Sequence, residues 1–310
     1  MIMSWRIGAA AFVLLALLPV MGASPYVLTV AGIACILAIV AQGASLVMGV
    51  AGQASFGHAA FYGLGAYVTA ILATRFAVPF WAVLPVVLVV CYGAGFLLAY
   101  PALRVKGFYL GLITLGVSEI FTMVVSQLQW AGGAEGITGI PAMSIGDWQM
   151  QSRTSKFYLV VVFAATAYFL TEWLCAGHFG RVARCMRDSE PGAMAVGVDL
   201  ARAKTRLFAA SAAIIGSAGF LYAYFLQFVS PTAFGLNTTI LLVSMVVVGG
   251  LGDMAGALVG ALVLSLLPHL LREYPGWEPL IYGTLLVLIL LLLPKGVVPT
   301  LRSALQRRTS

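Results

Sequence analysis

Residues 180–206 read GRVARCMRDSEPGAMAVGVDLARAKTR, the longest polar passage in a chain that is 62% hydrophobic. The passage carries six of the seventeen Lys and Arg residues (Arg181, Arg184, Arg187, Arg202, Lys204, Arg206) and three of the ten acids (Asp188, Glu190, Asp199). A membrane-spanning chain keeps such charge out of the bilayer, and a Lys/Arg excess in a short loop marks the cytoplasmic side. Inside the passage, Pro191 suits the first turn of a helix, where its missing N–H would be unbonded anyway. Ala193, Val196 and Gly197 then recur at helical spacing before Asp199. Two readings follow: a short helix on the cytoplasmic face that docks on a cytosolic partner, or a solvated connector held on the lipid surface by its arginines.

The totals support the membrane reading. Charged residues make up 9% of the chain, glycines number 34, and the mean hydropathy is +1.03. A soluble fold of this size would lack the polar residues to cover itself. The net charge of +7 does not imply a nucleic-acid partner, because the basic residues sit at the ends of apolar runs. Cys35, Cys91, Cys175 and Cys185 form no CxxC pair, so neither a disulfide framework nor a metal cluster is expected. HExxH, GxSxG and the phosphate-binding GxxxxGK[ST] are absent, and Lys204-Thr205 lacks the preceding glycine. The chain is therefore expected not to be an enzyme and to hold no cofactor; if ATP drives it, another chain hydrolyses the nucleotide.

Outward from the loop, apolar runs of the length needed to span about 30 Å of hydrocarbon follow one another. Ile7–Leu18 after Arg6 is read as an uncleaved first helix, with a secretory signal cleaved near Gly22-Ala23-Ser24 as the alternative. Tyr26–Met48, Ala59–Thr74, Trp81–Tyr100 and Phe108–Leu128 come next, then Phe157–Ala176 and Leu207–Phe228 on either side of the basic loop. Thr238–Val248 is too short to cross alone, Ala257–Leu271 follows it, and Leu280–Leu293 is the last span. Pro101–Gly107, with Arg104 and Lys106, is a short basic turn. With both termini inside, thirteen Lys/Arg residues fall on the cytoplasmic side, including Lys295, Arg302, Arg307 and Arg308. Arg75, Arg153, Lys156 and Arg272 alone fall outside. That asymmetry satisfies the positive-inside rule. The expectation is an all-α polytopic membrane protein of eight to ten crossings with glycine-broken or re-entrant segments. It forms a single domain over 1–310, with a cytoplasmic loop at 180–206 and an outer, periplasmic loop at 129–156. The count depends on whether Thr238–Val248 and Ala257–Leu271 dip and return or both cross.

Two passages interrupt the apolar pattern with glycine. One is Gly49-Val50-Ala51-Gly52-Gln53-Ala54-Ser55-Phe56-Gly57-His58, the other Gly249-Gly250-Leu251-Gly252-Asp253-Met254-Ala255-Gly256. Paired interruptions, one in each half of a chain, point to a translocation pathway, and close packing of small residues is the alternative. Gln53, Ser55, His58 and Asp253 are the pathway candidates within them. Glu119 joins these from mid-span, beside the Thr114, Ser118, Thr122 and Ser126 ladder. Its alternatives are a structural polar contact and a proton-coupling group of a secondary carrier. Asp253 also suits the cap of a half-helix.

These residues carry a resemblance. GQASFGHAAFYGLGAY (52–67), VKGFYLGLITLG (105–116), GGAEGITGIP (132–141), RDSEPGAMAVGVDLARAK (187–204) and VVGGLGDMAGALVGA (247–261) together resemble the branched-chain amino acid ABC permeases of the LivHM family. The GGxxGIxGIP loop is similar to the LivM-type subunit. The resemblance implies a multi-pass subunit of the bacterial inner membrane that pairs with a LivH-type permease. Two cytoplasmic ATPase subunits and a periplasmic amino-acid-binding protein would complete an importer for branched-chain or related hydrophobic amino acids. It implies that 180–206 is the coupling segment, carried by Arg187, Asp188, Glu190, Gly192, Ala193 and Gly197. Glu190, Gly192 and Gly197 stand in the acid–small–glycine pattern of ABC importers, from which Pro191 departs. Asp253 departs from the small or neutral polar residue expected there, which keeps urea or short-chain amides open as the solute. An ion- or proton-coupled carrier is the other class of function that the residues allow.

Overall fold

The computed structural model describes residues 2–102, 107–145, 148–150 and 152–270, with 280, 283–284, 287–288, 291, 293 and 296–300 beyond them. The basic turn at Arg104 and Lys106, the passage Arg272–Pro279, Lys295 and the tail from residue 301 lie outside the described residues, and the last span lies largely outside them. Among the described residues the α-helices are α1 (Ile2–Leu17), α2 (Pro25–Ser45), α3 (His58–Arg75), α4 (Phe80–Ala102), α5 (Phe108–Gln127), α6 (Arg153–Ala176), α7 (His178–Asp188), α8 (Glu190–Ala195), α9 (Leu200–Leu226), α10 (Leu236–Gly249) and α11 (Met254–Leu270). Strands among the described residues are four pieces of two residues each. The protein is an all-α polytopic membrane protein. Among the described residues, six stretches are long and apolar enough to cross a membrane: Pro25–Val50, Phe80–Ala99, Phe108–Gln127, Arg153–Ala176, Leu200–Leu226 and Pro231–Gly249.

Local chemistry sets the helix ends. Ser24 accepts from the Val27 amide and Pro25 stands in the first turn of α2; Asp199 accepts from the Arg202 amide and opens α9. Both supply an acceptor for an amide that the first turn leaves unbonded. Within the bilayer-length helices, hydroxyls turn back onto their own backbone. Thr69 donates to the Gly65 carbonyl, Thr122 to Ser118 and Ser244 to Ile240, which satisfies them without water.

Helix α9 is the axis of the bundle. Its apolar stretch is 78% buried, and that of α2 is 83% buried, against 28% for both α4 and α5. A Cβ on Gly65 of α3 would lie 2.2 Å from the Gly216 carbonyl of α9, so the two backbones touch through residues that have no side chain. Contacts fix directions. Gly32 lies against Phe225 and Gly43 against Ile215, so α2 runs antiparallel to α9. Phe80 meets Tyr224 edge to face and Gly95 sits beside Ala209 and Ala212, so α4 is antiparallel to α9 as well. Gly8 packs on Tyr168, and the Tyr158 hydroxyl donates to Ala16, so α1 and α6 are antiparallel.

The same reasoning settles the two short helices. Gly252 meets Gly49 at the basic-loop end of α2, and the Tyr26 hydroxyl meets His269 Nδ1 at 3.1 Å at the opposite end. Helix α10 therefore descends to the end that holds residues 180–206, and α11 returns through the depth of the bundle. The higher of the two crossing counts requires this arrangement. At the far end the 129–156 loop is pinned onto α9. Gln227, at φ 58, accepts from Lys156 Nζ at 2.9 Å and donates to the Ile140 carbonyl at 3.1 Å. Ile137 and Val229 pair in a short antiparallel ribbon.

Candidate functional site

The two glycine-broken passages meet each other. Helix α2 widens into a π-helical turn at Leu46–Val50, and α3 starts only at His58, so the chain between them has left helical pairing. A Cβ on Gly49 would lie 2.2 Å from the Gly252 nitrogen and 2.7 Å from its Cα. Real Cβ atoms do not approach backbone so closely, so only glycine permits this contact. Gly252 also sits at φ 86, which a side chain would strain. Arg187, from the last turn of α7, closes the joint: its Nη1 donates to the Gly49 carbonyl at 2.6 Å. A Cβ on Gly52 would lie 2.8 Å from the Arg187 Cγ. The charged loop is thus tied to the place where both breaks touch.

The side chains of the two passages differ. Gln53, Ser55 and His58 are 7%, 0% and 2% exposed, and none of their polar side-chain atoms has a hydrogen-bond partner among the described residues. A buried polar group left unbonded costs on the order of 1–3 kcal/mol, and three in six residues is an unusual concentration. They offer donors and acceptors to a polar solute or to water. The neighbouring backbone is held: the Phe56 amide donates to Thr114 Oγ1 of α5 at 2.8 Å. In the second passage, Asp253 Oδ1 accepts from the amides of Ala255 and Gly256 at 3.0 and 3.3 Å. Asp253 caps α11, which is the half-helix cap the sequence allowed.

Glu119 stands apart from both. It lies on the exposed face of α5, directed away from the bundle. The ladder beside it is divided. Thr114 and Thr122 bond to backbone and Ser126 donates to Met123, while the buried Ser118 hydroxyl has no partner among the described residues.

In the basic loop the residues take separate roles. Helix α8 opens at Glu190 with Pro191 in its first turn, as the sequence indicates, and Ser189 caps it by accepting from the Gly192 amide at 3.1 Å. Glu190 pairs with Lys204 of α9, and Asp188 is exposed. Ala193 is fully buried within this chain, so it faces its own bundle rather than a partner. Gly197, at φ 84, closes α8: its amide donates to Met194 and that of Val198 donates to Ala193. This is the left-handed glycine ending of a helix, so Gly197 has a local role as the end of α8. Exposed on the tip are Met194 (55%) and Val196 (73%); the helical pattern singled out Val196 and passed over Met194.

Sequence reasoning also passed over three buried polar residues. Gln42 and Ser45 of α2 are fully buried, with no side-chain partners among the described residues; their spacing of three within an apolar run was the available signal. Glu172 is a second intramembrane acid, 8% exposed, and accepts from the Tyr168 hydroxyl one turn earlier at 3.4 Å.

Comparison with known proteins places this geometry in context. The sequence profile of the permease component of the branched-chain amino acid transport system matches residues 26–294. The high-affinity branched-chain amino acid transport system permease protein LivM of Salmonella typhimurium is 30% identical, over 96% of this chain and 76% of that protein. The LivM protein of Escherichia coli is 30% identical over 89% and 71%. The LivH permease of Salmonella typhimurium is 24% identical over 84% and 90%. No solved structure matches.

Proposed function

The chain belongs to the family of branched-chain amino acid transport system permease components, and on that premise we propose that it is the LivM-type membrane subunit of an ATP-driven importer. It would form part of the route for branched-chain or related hydrophobic amino acids in a bacterial inner membrane, with both termini and residues 180–206 in the cytoplasm. Its partners would be a LivH-type permease, two cytoplasmic ATPase subunits and a periplasmic binding protein that delivers the solute to the 129–156 side. ATP is used by the partner subunits, and this chain requires no cofactor.

The observation that carries the reading is the connection from Arg187 to Gly49. An ATP-driven permease that cannot itself bind nucleotide needs a joint between a cytoplasmic contact and the membrane route. Helix α8 offers the contact: Met194 and Val196 are exposed apolar residues on a loop otherwise rich in charge. Helix α7, one residue away, reaches the meeting point of the two breaks through Arg187. The unbonded Gln53, Ser55 and His58 lie in the passage that follows. A proton-coupled carrier would rest on Glu119, and that carboxylate faces out of the bundle, with no relay to it among the described residues. Urea and short-chain amides stay within the importer reading, since the binding protein selects the solute.

Val196→Glu tests the joint without touching the bundle. A charge on the docked tip is buried without a partner, at a cost of several kcal/mol. The variant should insert normally and copurify with its sister permease, yet lose the ATPase subunits and ATP-driven uptake. Full ATPase stoichiometry with normal uptake in both Val196→Glu and Met194→Glu would make the loop a connector. Val196 is the better site than Gly197, where any side chain strains the left-handed backbone.

A further inference from the structure

Two helices, α4 and α5, leave most of their surface uncovered, and their surfaces differ. Helix α4 exposes Val89 (72%), Leu97 (74%) and Phe96 (51%), and its sequence from Phe80 to Ala102 contains no charged residue. Hydrocarbon is an adequate solvent for that face. Helix α5 exposes Leu112, Ile113, Ile120 (63%) and Met123 (69%), and the same stripe carries the exposed carboxylate Glu119. At a rise of about 1.5 Å per residue, Glu119 lies roughly 16 Å from Phe108 and roughly 12 Å from Gln127. Neither end is within reach of a glutamate side chain, so the group cannot snorkel to water. It has no hydrogen bond or ion pair with any described residue. A carboxylate at this depth faces a partner or a water-filled cavity rather than lipid.

We infer that the face of α5 around Glu119 is the surface by which this chain packs against a second, non-identical permease chain, which presents a hydrogen-bond donor or a cation to the carboxylate at mid-depth. The inference rests on the permease reading above and names the partner-facing element. One turn before Glu119, Gly116 lies on the same stripe, and a Cβ there would meet nothing within 4 Å. The face thus presents a depression in which another helix can approach closely, as small residues allow between membrane helices. A second copy of this chain fits poorly. A two-fold axis along the membrane normal puts both copies of a residue at one depth, so self-pairing of this face sets two acids at one level, where the ionised forms repel and only a shared proton joins them. Helix α4, uniformly apolar, remains the lipid-facing side.

The test uses the full chain expressed with its neighbouring transporter genes in native membranes. A benzophenone amino acid is placed at Ile120 or Met123 on α5, and at Val89 or Leu97 on α4, and adducts are identified by mass spectrometry after irradiation. Adducts of the α5 positions with a second permease-family chain, and of the α4 positions with lipid alone, are expected. In parallel, Glu119→Leu should lower copurification of that chain by roughly three- to tenfold while leaving membrane yield unchanged, and Glu119→Gln should restore most of it. Lipid adducts alone at Ile120 and Met123, with the second permease still copurifying, would overturn the assignment of this face and leave the permease reading standing. Adducts between two copies of this chain would also overturn it. Should no second permease-family chain copurify with the unaltered protein, the permease reading itself falls.

Discussion

The passage Gly49–His58 and the passage Gly249–Gly256 look alike in the sequence, and the structure separates them. Both use glycine to break a helix and to bring backbone onto backbone, Gly49 on Gly252 between the passages and Gly256 on Gly249 within the second. The second passage is chemically closed: its one acid, Asp253, is used on the amides of α11. The first is open, with Gln53, Ser55 and His58 buried and unbonded by the described residues. Glycine content therefore marks a joint, while unbonded polar side chains mark the part of it that can handle solute. Arg187 ties the two together from outside the bundle.

The comparison breaks first at the joint itself. Gly49→Ala places a methyl group about where the Gly252 backbone sits, and neither element is a flexible side chain that can move aside. Stability in detergent should fall by about 2–3 kcal/mol, seen as a lower thermal midpoint; an unchanged midpoint would mean that the two passages do not touch. Arg187→Met comes next. It removes a charge-assisted bond to a carbonyl, but the guanidinium is partly exposed and water can replace part of the bond. A loss of roughly 1 kcal/mol in stability is expected, together with a much larger loss of uptake per ATP hydrolysed in the reconstituted transporter. Equal losses in both would reduce Arg187 to a structural tie. Ser55→Ala and Gln53→Leu should change stability least, by about 0.5 kcal/mol or less and in either direction, because no protein hydrogen bond is broken. Uptake should nevertheless fall with both, and preserved uptake would remove the functional distinction between the two passages.

Much of this was legible in the sequence for a physical reason. Hydropathy is additive along the chain, so span existence follows from runs of apolar residues, and the one dense cluster of arginines in a short loop locates itself outside the bilayer. Helix α8 was legible in part: Pro191 marked its start, but Gly197, read as continuing the helical spacing, instead ends it in a left-handed conformation. What such signals could not give is which way a residue faces. Ala193 and Val196 lie three residues apart in one short segment, and one is fully buried while the other is 73% exposed.

The sequence alone thus determined the class of protein, the number of apolar runs, the charged side of the membrane and the places where helices break, because each depends on near neighbours in the chain. The tertiary structure alone decided that the two breaks touch, that Arg187 bridges 138 positions of sequence to bond Gly49, and that Glu119 turns outward while Gln53, Ser55 and His58 turn inward. Those outcomes depend on how helices far apart in sequence pack, and on which carbonyls, amides and side chains remain unbonded once they have done so.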